Sequence, residues 1–446
     1  MTSRAASDMA ILTEQEFVKV PGFIQRHYRE LNQGGWPTFR RKVKNALLRL
    51  ASVFLMLPAL PAFFAMRLLR PWILIRISPL ISSRLGHLAA NIELYLCERD
   101  AGINVPARRH VDLCYFAYTP LANVQLANML RRHLRIGPAW LLGAVYKLNR
   151  VFPGGSIHEV GNNTQHDRDV HNLLERMPPH LGFTPEEELR GKAGLQIIGI
   201  PADAEFICLT ARDSAYLGAV FPGNFDYHNY RDVDIQNYVL AVEALAERGY
   251  YVVRMGAVVK APIKSSHPKV IDYATNGMRT EFMDIYLGAR CLFCISCGTG
   301  FDAIPLMFRR PIAYVNMLPV GYFFTFLKDT VGIFKKHWLV SERRWLSLRE
   351  IFSRGVGFCM SSTGYEIQGV NVIENTPEEI RSLVIEMLER LKGTWQPWPD
   401  DDVLQRRFWE IYPIDARDSS QNRPLHGKIR ARHGAQFLRD NLEWLV

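Results

Sequence analysis

The sequence predicts an α/β protein with two Rossmann-like, doubly wound domains facing a cleft, preceded by a basic and apolar segment suited to a membrane surface. Three observations carry this expectation. Short apolar runs alternate with helical stretches from residue 72 onward, the order that builds parallel sheets covered by helices. At residues 288–316, GARCLFCISCGTGFDAIPLMFRRPIAYVN, one apolar run empties into a Gly-rich loop that opens a helix and leads back to a second run. Between Leu31 and Ile92 there is no Asp or Glu, while Arg40, Arg41, Lys42, Lys44, Arg49, Arg67, Arg70, Arg76 and Arg84 are all basic.

The basic run comes first in the chain. It flanks residues 50–66, LASVFLMLPALPAFFAM, which are just short of the roughly 20 residues a spanning helix needs and contain Pro58 and Pro61. A monotopic or re-entrant anchor fits this stretch better than a straight span, and the arginines suit anionic lipid headgroups. No small-residue cleavage site follows, so a signal peptide is not expected. Residues 1–70 form this segment, 71–195 an N-terminal Rossmann-like domain with a linker, 196–395 a C-terminal Rossmann-like domain, and 396–446 a tail. With 446 residues, 48% apolar and 22% charged, the chain is long enough for two domains and is not a disordered polymer. The net charge of +10 implies an anionic partner. Because that charge gathers around the apolar stretch and not around exposed aromatics, nucleic acid is not expected.

Residues 72–78 (WILIRIS) read as the first strand, and a loop through Ser82, Ser83 and Gly86 enters a helix over 87–99. A strand at 111–115 and helices near 121–133 and 140–149 follow. Residues 152–192, rich in Gly, Pro, Asn and His and without periodicity, read as a linker. The second series runs strand 205–210, helix 234–248 stopped by Gly249, strands 250–255 and 270–272, helix 279–288, strand 291–296, helix 301–308 and strand 311–316. Thr376-Pro377-Glu378-Glu379 starts a further helix, with a Thr cap, a first-turn Pro and acids at the positive dipole end. The polar and aromatic tail closes in a short helix near 435–445.

Seven cysteines without an even-spaced framework suit a reducing compartment. Cys291, Cys294 and Cys297 have C-x2-C-x2-C spacing, but no fourth Cys follows, and a spacing of three on a strand turns Cys294 away from the other two. Strand packing is the simpler reading.

The segments RLGHLAANIELYL (84–96), FICLTARDSAYL (206–217), YRDVDIQNYVLAVEALAERGYYVVRMG (230–256), ISCGTGFDAIPLMFRRPIAYVN (295–316) and GAQFLRDNLEWL (434–445) together resemble a bacterial glycosyltransferase-like family of the GT-B type, some members of which carry tetratricopeptide repeats. No such repeat is visible here. The resemblance implies transfer of a sugar from a nucleotide-activated donor to a cell-surface glycan or lipid-linked acceptor, at the cytoplasmic face of the inner membrane. It implies donor binding in the C-terminal domain, acceptor binding in the N-terminal one, and no cofactor or catalytic metal. The alternative is a non-catalytic nucleotide-sugar or glycan-binding subunit of an envelope polysaccharide assembly complex.

Breaking a sugar–diphosphate bond leaves a nucleotide diphosphate with added negative charge, which needs preorganised donors. Ser296, Gly298, Thr299 and Gly300 are expected to supply backbone amides and hydroxyls, though a plain structural turn would use the same glycines. Arg212 is the expected phosphate cation, with ion pairing to Asp213 as the bland alternative, and Asp213 is itself expected among the donor-binding residues. Lys335, beside Lys336 and His337, is a second candidate, and charge runs are commonly solvated faces. Asp302 suits either a sugar or ribose hydroxyl or the helix dipole. His87, at a loop–helix junction, is expected as the general base, against a capping or acceptor-binding role. Glu93 is a further carboxylate near it. Asp232 and Asp234 have the spacing of a metal-binding acidic pair, but precede a helix and suit capping better.

Overall fold

The computed structural model describes Trp36, Arg40, Val43 and residues 57–164, 166–220, 225–418 and 422–446. The stretch 50–56 of the expected membrane segment therefore lies outside the described residues. The chain divides into two compact units, 1–65 and 66–446. In the first, a turn at Leu57–Ala59 enters the helix Leu60–Leu68, which runs on into the second unit. Among the described residues no helix is long and apolar enough to cross a membrane.

The second unit holds two parallel sheets of unequal size. The smaller pairs β1 (Leu74–Leu80) with β2 (His110–Phe116), and isolated parallel bridges, Ile77 to Glu159 and Cys114 to Ile136, flank it on either side. The larger draws on β3 (Phe206–Thr210), β4 (Tyr251–Met255), β5 (Val270–Ile271), β6 (Cys294–Ser296), β7 (Ile312–Met317) and β8 (Thr330–Phe334). A small antiparallel sheet, β9 (Lys336–Leu339), β10 (Arg344–Trp345) and β11 (Val370–Ile373), interrupts the series, and β12 (Arg432–His433) completes the large sheet. Its strand order is β12-β8-β7-β6-β3-β4-β5, all parallel. β3, β6, β7 and β8 are buried at every position, as strands covered on both faces must be. The helix Pro377–Lys392 supplies part of that cover, packing on β7, β8 and the helix Val239–Glu247.

From β3 the chain steps outward to β4 and β5, then returns across β3 to β6 and steps the other way to β7 and β8. The order therefore reverses between β3 and β6, where Thr210 lies opposite Ser296. In open α/β sheets the crevice beyond the carboxyl ends at such a reversal is where ligands sit.

Three expectations need correcting. The stretch 152–192 read as a linker ends in a well-formed helix, Pro185–Ile197, whose Thr184 and Glu187 make a reciprocal capping box. The tail holds more than the short helix expected near 435–445: it adds the edge strand β12 and the helix Asp401–Ile411, and its aromatics Phe408, His433 and Trp444 pack with Phe334 of β8. The strand expected over 291–296 is shorter. Cys291 ends the preceding helix, Cys294 lies within β6, and Cys297 is already in the loop.

Candidate functional site

The loop that leaves β6 sits at the reversal point and is built from beneath. Ser296, with no exposed surface, donates its Oγ hydrogen to Asp302 at 2.9 Å, and the same Oγ accepts from the Gly298 amide at 3.0 Å and the Thr299 amide at 3.4 Å. Gly298 holds φ +79°, a conformation that favours glycine, and an added Cβ would lie 2.8 Å from Met317 Sδ, so that side chain would also have to shift. The Thr299 hydroxyl meets Thr210 Oγ1 at 3.2 Å, joining the loop to the end of β3. Two loop amides expected to face a phosphate are thus turned inward. The helix beyond, Ala303–Met307, is only five residues long, so its dipole is a minor source of field.

The charge at the loop comes from side chains. Arg212, just past β3, donates its backbone N–H to Cys297 Sγ at 3.1 Å, and its Nε lies 3.3 Å from Asp232. Its partner is therefore Asp232 and not Asp213, whose carboxylate instead accepts from the Ala215 and Lys260 amides. Arg231, from the turn Asp226–Arg231, donates through Nη2 to the Gly298 carbonyl. Lys335, buried beyond the end of β8, donates to the Asp232 carbonyl at 2.6 Å, and burial depresses its pKa. These three cations surround Cys297. Burial pushes that thiol up, and the Arg212 amide with the charges of Arg231, Lys335 and Arg212 opposes the shift.

His228 stands against the same group. Burial, followed by the charges of Arg212, Arg231 and Arg84, pushes its pKa down to about 4, so it is neutral at physiological pH. Asp302, the other buried acid of the loop, is raised to about 7, chiefly by burial and against the Ser296 hydrogen bond and Arg231. It supports Ser296 from below. Asp234 caps the turn Ile235–Tyr238 through the Gln236 amide, as its position suggested, whereas Asp232 is occupied as an ion-pair partner. Lys336 pairs with Glu379 at 2.9 Å, and His337 is buried with its pKa pushed down to about 4 by desolvation.

The loop after β1 reaches the same place. A Cβ on Gly86 would lie 3.2 Å from the Gly300 Cα, so the two loops touch backbone to backbone. His87 follows directly, at the start of a π-helical turn, His87–Asn91, that continues into the helix Ile92–Asp100. Asn91 Nδ2 donates to the Thr164 carbonyl at 3.4 Å and lies 3.3 Å from His87 Nδ1. With Asn91 Nδ2 donating to Nδ1, the neutral ring is the tautomer that carries its hydrogen on Nε2.

Glu93 is not at this site. Its carboxylate, fully buried, receives Arg309 Nη2 at 2.6 Å and His180 Nδ1 at 3.1 Å. Glu93, His180 and Cys97 form the group among the described residues whose atoms are close enough to share a metal ion. Arg309, which also approaches Cys97 Sγ at 3.6 Å, occupies that space, and His180 reaches Asp100 at 3.0 Å on its other side.

The fold brings together Arg212, Lys335 and the Gly-rich loop, all named from the sequence, and sets Arg231 and His228, which the sequence reading does not name, beside them. Arg231 directly precedes the Asp232–Asp234 pair, and a cation at the edge of an acidic pair in a strand-to-helix connection was the available signal.

No known sequence family matches the chain, and no curated protein does. Among solved structures, the glycosyl transferase family 9 protein from Veillonella parvula DSM 2008 aligns at 10% identity with a TM-score of 0.38, covering 71% of this chain and 97% of that one. E. coli ADP-heptose LPS heptosyltransferase II aligns at 14% identity and a TM-score of 0.27, covering 55% and 86%. E. coli heptosyltransferase WaaC with ADP aligns at 9% identity and 0.29, covering 58% and 91%. At these TM-scores the likenesses carry no argument about activity.

Proposed function

We propose that this protein is a glycosyltransferase that moves a sugar from a nucleotide-activated donor to a glycan or lipid-linked acceptor. The observation that supports this most is the convergence of Arg212, Arg231 and Lys335 on one Gly-rich loop at the strand-order reversal. A departing nucleotide diphosphate gains negative charge as the sugar bond breaks, and fixed cations in a partly dry site stabilise that charge with no reorganisation. Arginine grips phosphate oxygens with a planar fork. In this reading the cations do the work without a catalytic metal, and Gly298 and Gly300 allow the diphosphate to approach the backbone.

His87 belongs to the acceptor side, next to the Gly86 and Gly300 contact. A general base must hold a lone pair toward the acceptor hydroxyl. With Asn91 donating to Nδ1, a neutral His87 ring carries its hydrogen on Nε2 and has no lone pair there, so the base role requires Asn91 to turn its amide.

The test is a panel of nucleotide sugars assayed for thermal stabilisation and for release of nucleoside diphosphate. Stabilisation with turnover supports the reading, and Arg231→Gln should lower donor affinity. If no nucleotide sugar binds, the proposal fails; binding without turnover on any acceptor makes the protein a binding subunit. Asn91→Asp places an acceptor opposite Nδ1 and favours the tautomer that a base needs. If His87 is the base, this variant keeps turnover while His87→Ala loses about 10²-fold or more in kcat.

A further inference from the structure

Three segments of the second unit meet on one face away from the Gly-rich loop. Arg67 donates to the carbonyls of Pro153 at 3.1 Å and Phe152 at 3.4 Å, and its guanidinium lies 5.7 Å from the Phe152 ring centre. Arg108 Nη1 reaches the Arg70 carbonyl at 3.4 Å, and the Leu74 amide donates to the Arg109 carbonyl at 2.9 Å. Residues 67–72, 108–109 and 150–153 are therefore contiguous.

Their exposed side chains are of two kinds. Leu68 is 72% exposed, Trp72 70% and Val151 82%. Arg70, Arg108 and Arg109 are exposed beside them. Single exposed apolar residues are ordinary, but a Trp, a Leu and a Val among arginines form a patch. Beneath it lies His158, buried against the Ile75 carbonyl at 2.7 Å; burial lowers its pKa, and Arg70, Arg67 and Arg108 add to that, which places all three charges around one point. Glu159, a carboxylate near the patch, is engaged by Arg150 at 3.9 Å and by the Tyr146 hydroxyl. No acid occurs in the sequence from Leu31 to Ile92.

We propose that this face docks on an anionic lipid bilayer, with Arg70, Arg108 and Arg109 on headgroup phosphates and Leu68, Trp72 and Val151 in the boundary between headgroups and acyl chains. Charge complementarity selects the occupant. Arginine forks match phosphate, and tryptophan, apolar with one polar N–H, is the side chain that favours the membrane interface. A patch of this kind lies on the bilayer without crossing it. The contact thus lies on folded structure beyond residue 66 and does not depend on residues 50–66 alone. It also stands apart from the sugar-transfer reading, since it uses none of the same residues.

The experiment is co-sedimentation of the full chain with phosphatidylcholine vesicles, with and without phosphatidylglycerol. Binding should need the anionic lipid and weaken with salt. The triple variant Arg70→Gln/Arg108→Gln/Arg109→Gln should bind on the order of 100-fold more weakly, as about 1 kcal/mol per basic residue implies. Leu68→Ser/Trp72→Ser should weaken binding with the charges intact. Unchanged thermal unfolding would show that the variants remain folded. Equal binding to neutral vesicles, a triple variant that binds like the parent, or a parent dimer that Leu68→Ser/Trp72→Ser dissociates would each overturn the proposal, the last by making a second copy the occupant.

Discussion

Two charge clusters of this protein are built on opposite plans. Around Glu93 every formal charge meets its opposite: the carboxylate takes Arg309 and His180, and His180 also takes Asp100. Around Gly298 three cations gather, Arg212 pairs with Asp232 while Asp302 is taken by the Ser296 hydroxyl, and the other two cations, Arg231 and Lys335, end on backbone carbonyls. Neutral acceptors hold a cation in place without cancelling its field. The first cluster is a fastening between the helix Ile92–Asp100 and the segment after Ala303–Met307; the second keeps positive potential available for an anion.

If that contrast is right, substitutions in the two clusters must fail differently. Arg309→Ala leaves the fully buried Glu93 without its arginine, and unfolding in urea should show a loss of roughly 3–5 kcal/mol. Preserved stability would mean that His180 alone satisfies Glu93. Arg231→Gln should do the reverse. Losing a charged hydrogen bond worth roughly 1.5–3 kcal/mol lowers donor affinity by about 10- to 100-fold, while unfolding free energy changes little because like-charge repulsion is relieved. Calorimetric titration with a bound nucleotide sugar and urea melts, run on one preparation, separate the two effects.

The fastening should also respond to pH. Hydrogen bonding to Cys97 and then Glu93 raises His180 from 6.5 to about 10. A folded pKa above the unfolded one means the folded state holds the proton more tightly, so this stabilisation is complete below pH 6.5 and is lost as pH climbs toward 10. Urea melts across that window should show falling stability, and His180→Gln should flatten the slope. An unchanged slope in the variant assigns the effect elsewhere. The smallest expected effect is Thr299→Val, which removes the hydroxyl contact to Thr210; about 1 kcal/mol of stability should go, with donor affinity nearly intact.

Two helices show why part of the fold was legible and part was not. Thr184-Pro185-Glu186-Glu187 and Thr376-Pro377-Glu378-Glu379 carry the same start signal, and both form capping boxes. The second continues with apolar residues at helical spacing, and Ile380, Leu383, Val384, Met387 and Leu388 are buried. The first buries Gly191 and Leu195. At Gly191 a Cβ would lie 2.1 Å from the Tyr286 ring, and at Gly194 2.3 Å from Met283 Sδ. Its packing face is written in glycine, which hydrophobic periodicity does not register, so the sequence pattern there reads as linker. β12 was hidden for a related reason: two residues, Arg432 and His433, have no pattern of their own, and their place comes from pairing with β8.

Local chemistry in the chain was enough to establish the alternation of apolar strands and helices, the Gly-rich loop after β6 and the position of Arg212 past β3, because each depends on residues close in sequence. Which charge answers which was decided only by the fold. Arg212 turned to Asp232 and not to its neighbour Asp213, Glu93 met an arginine 216 positions away, and the loop amides of Gly298 and Thr299 bonded inward to Ser296. Electrostatic pairing falls with distance through space and not along the chain. The charge pattern of the candidate site therefore came into being only when β3, β6, β7 and β8 were assembled into one sheet.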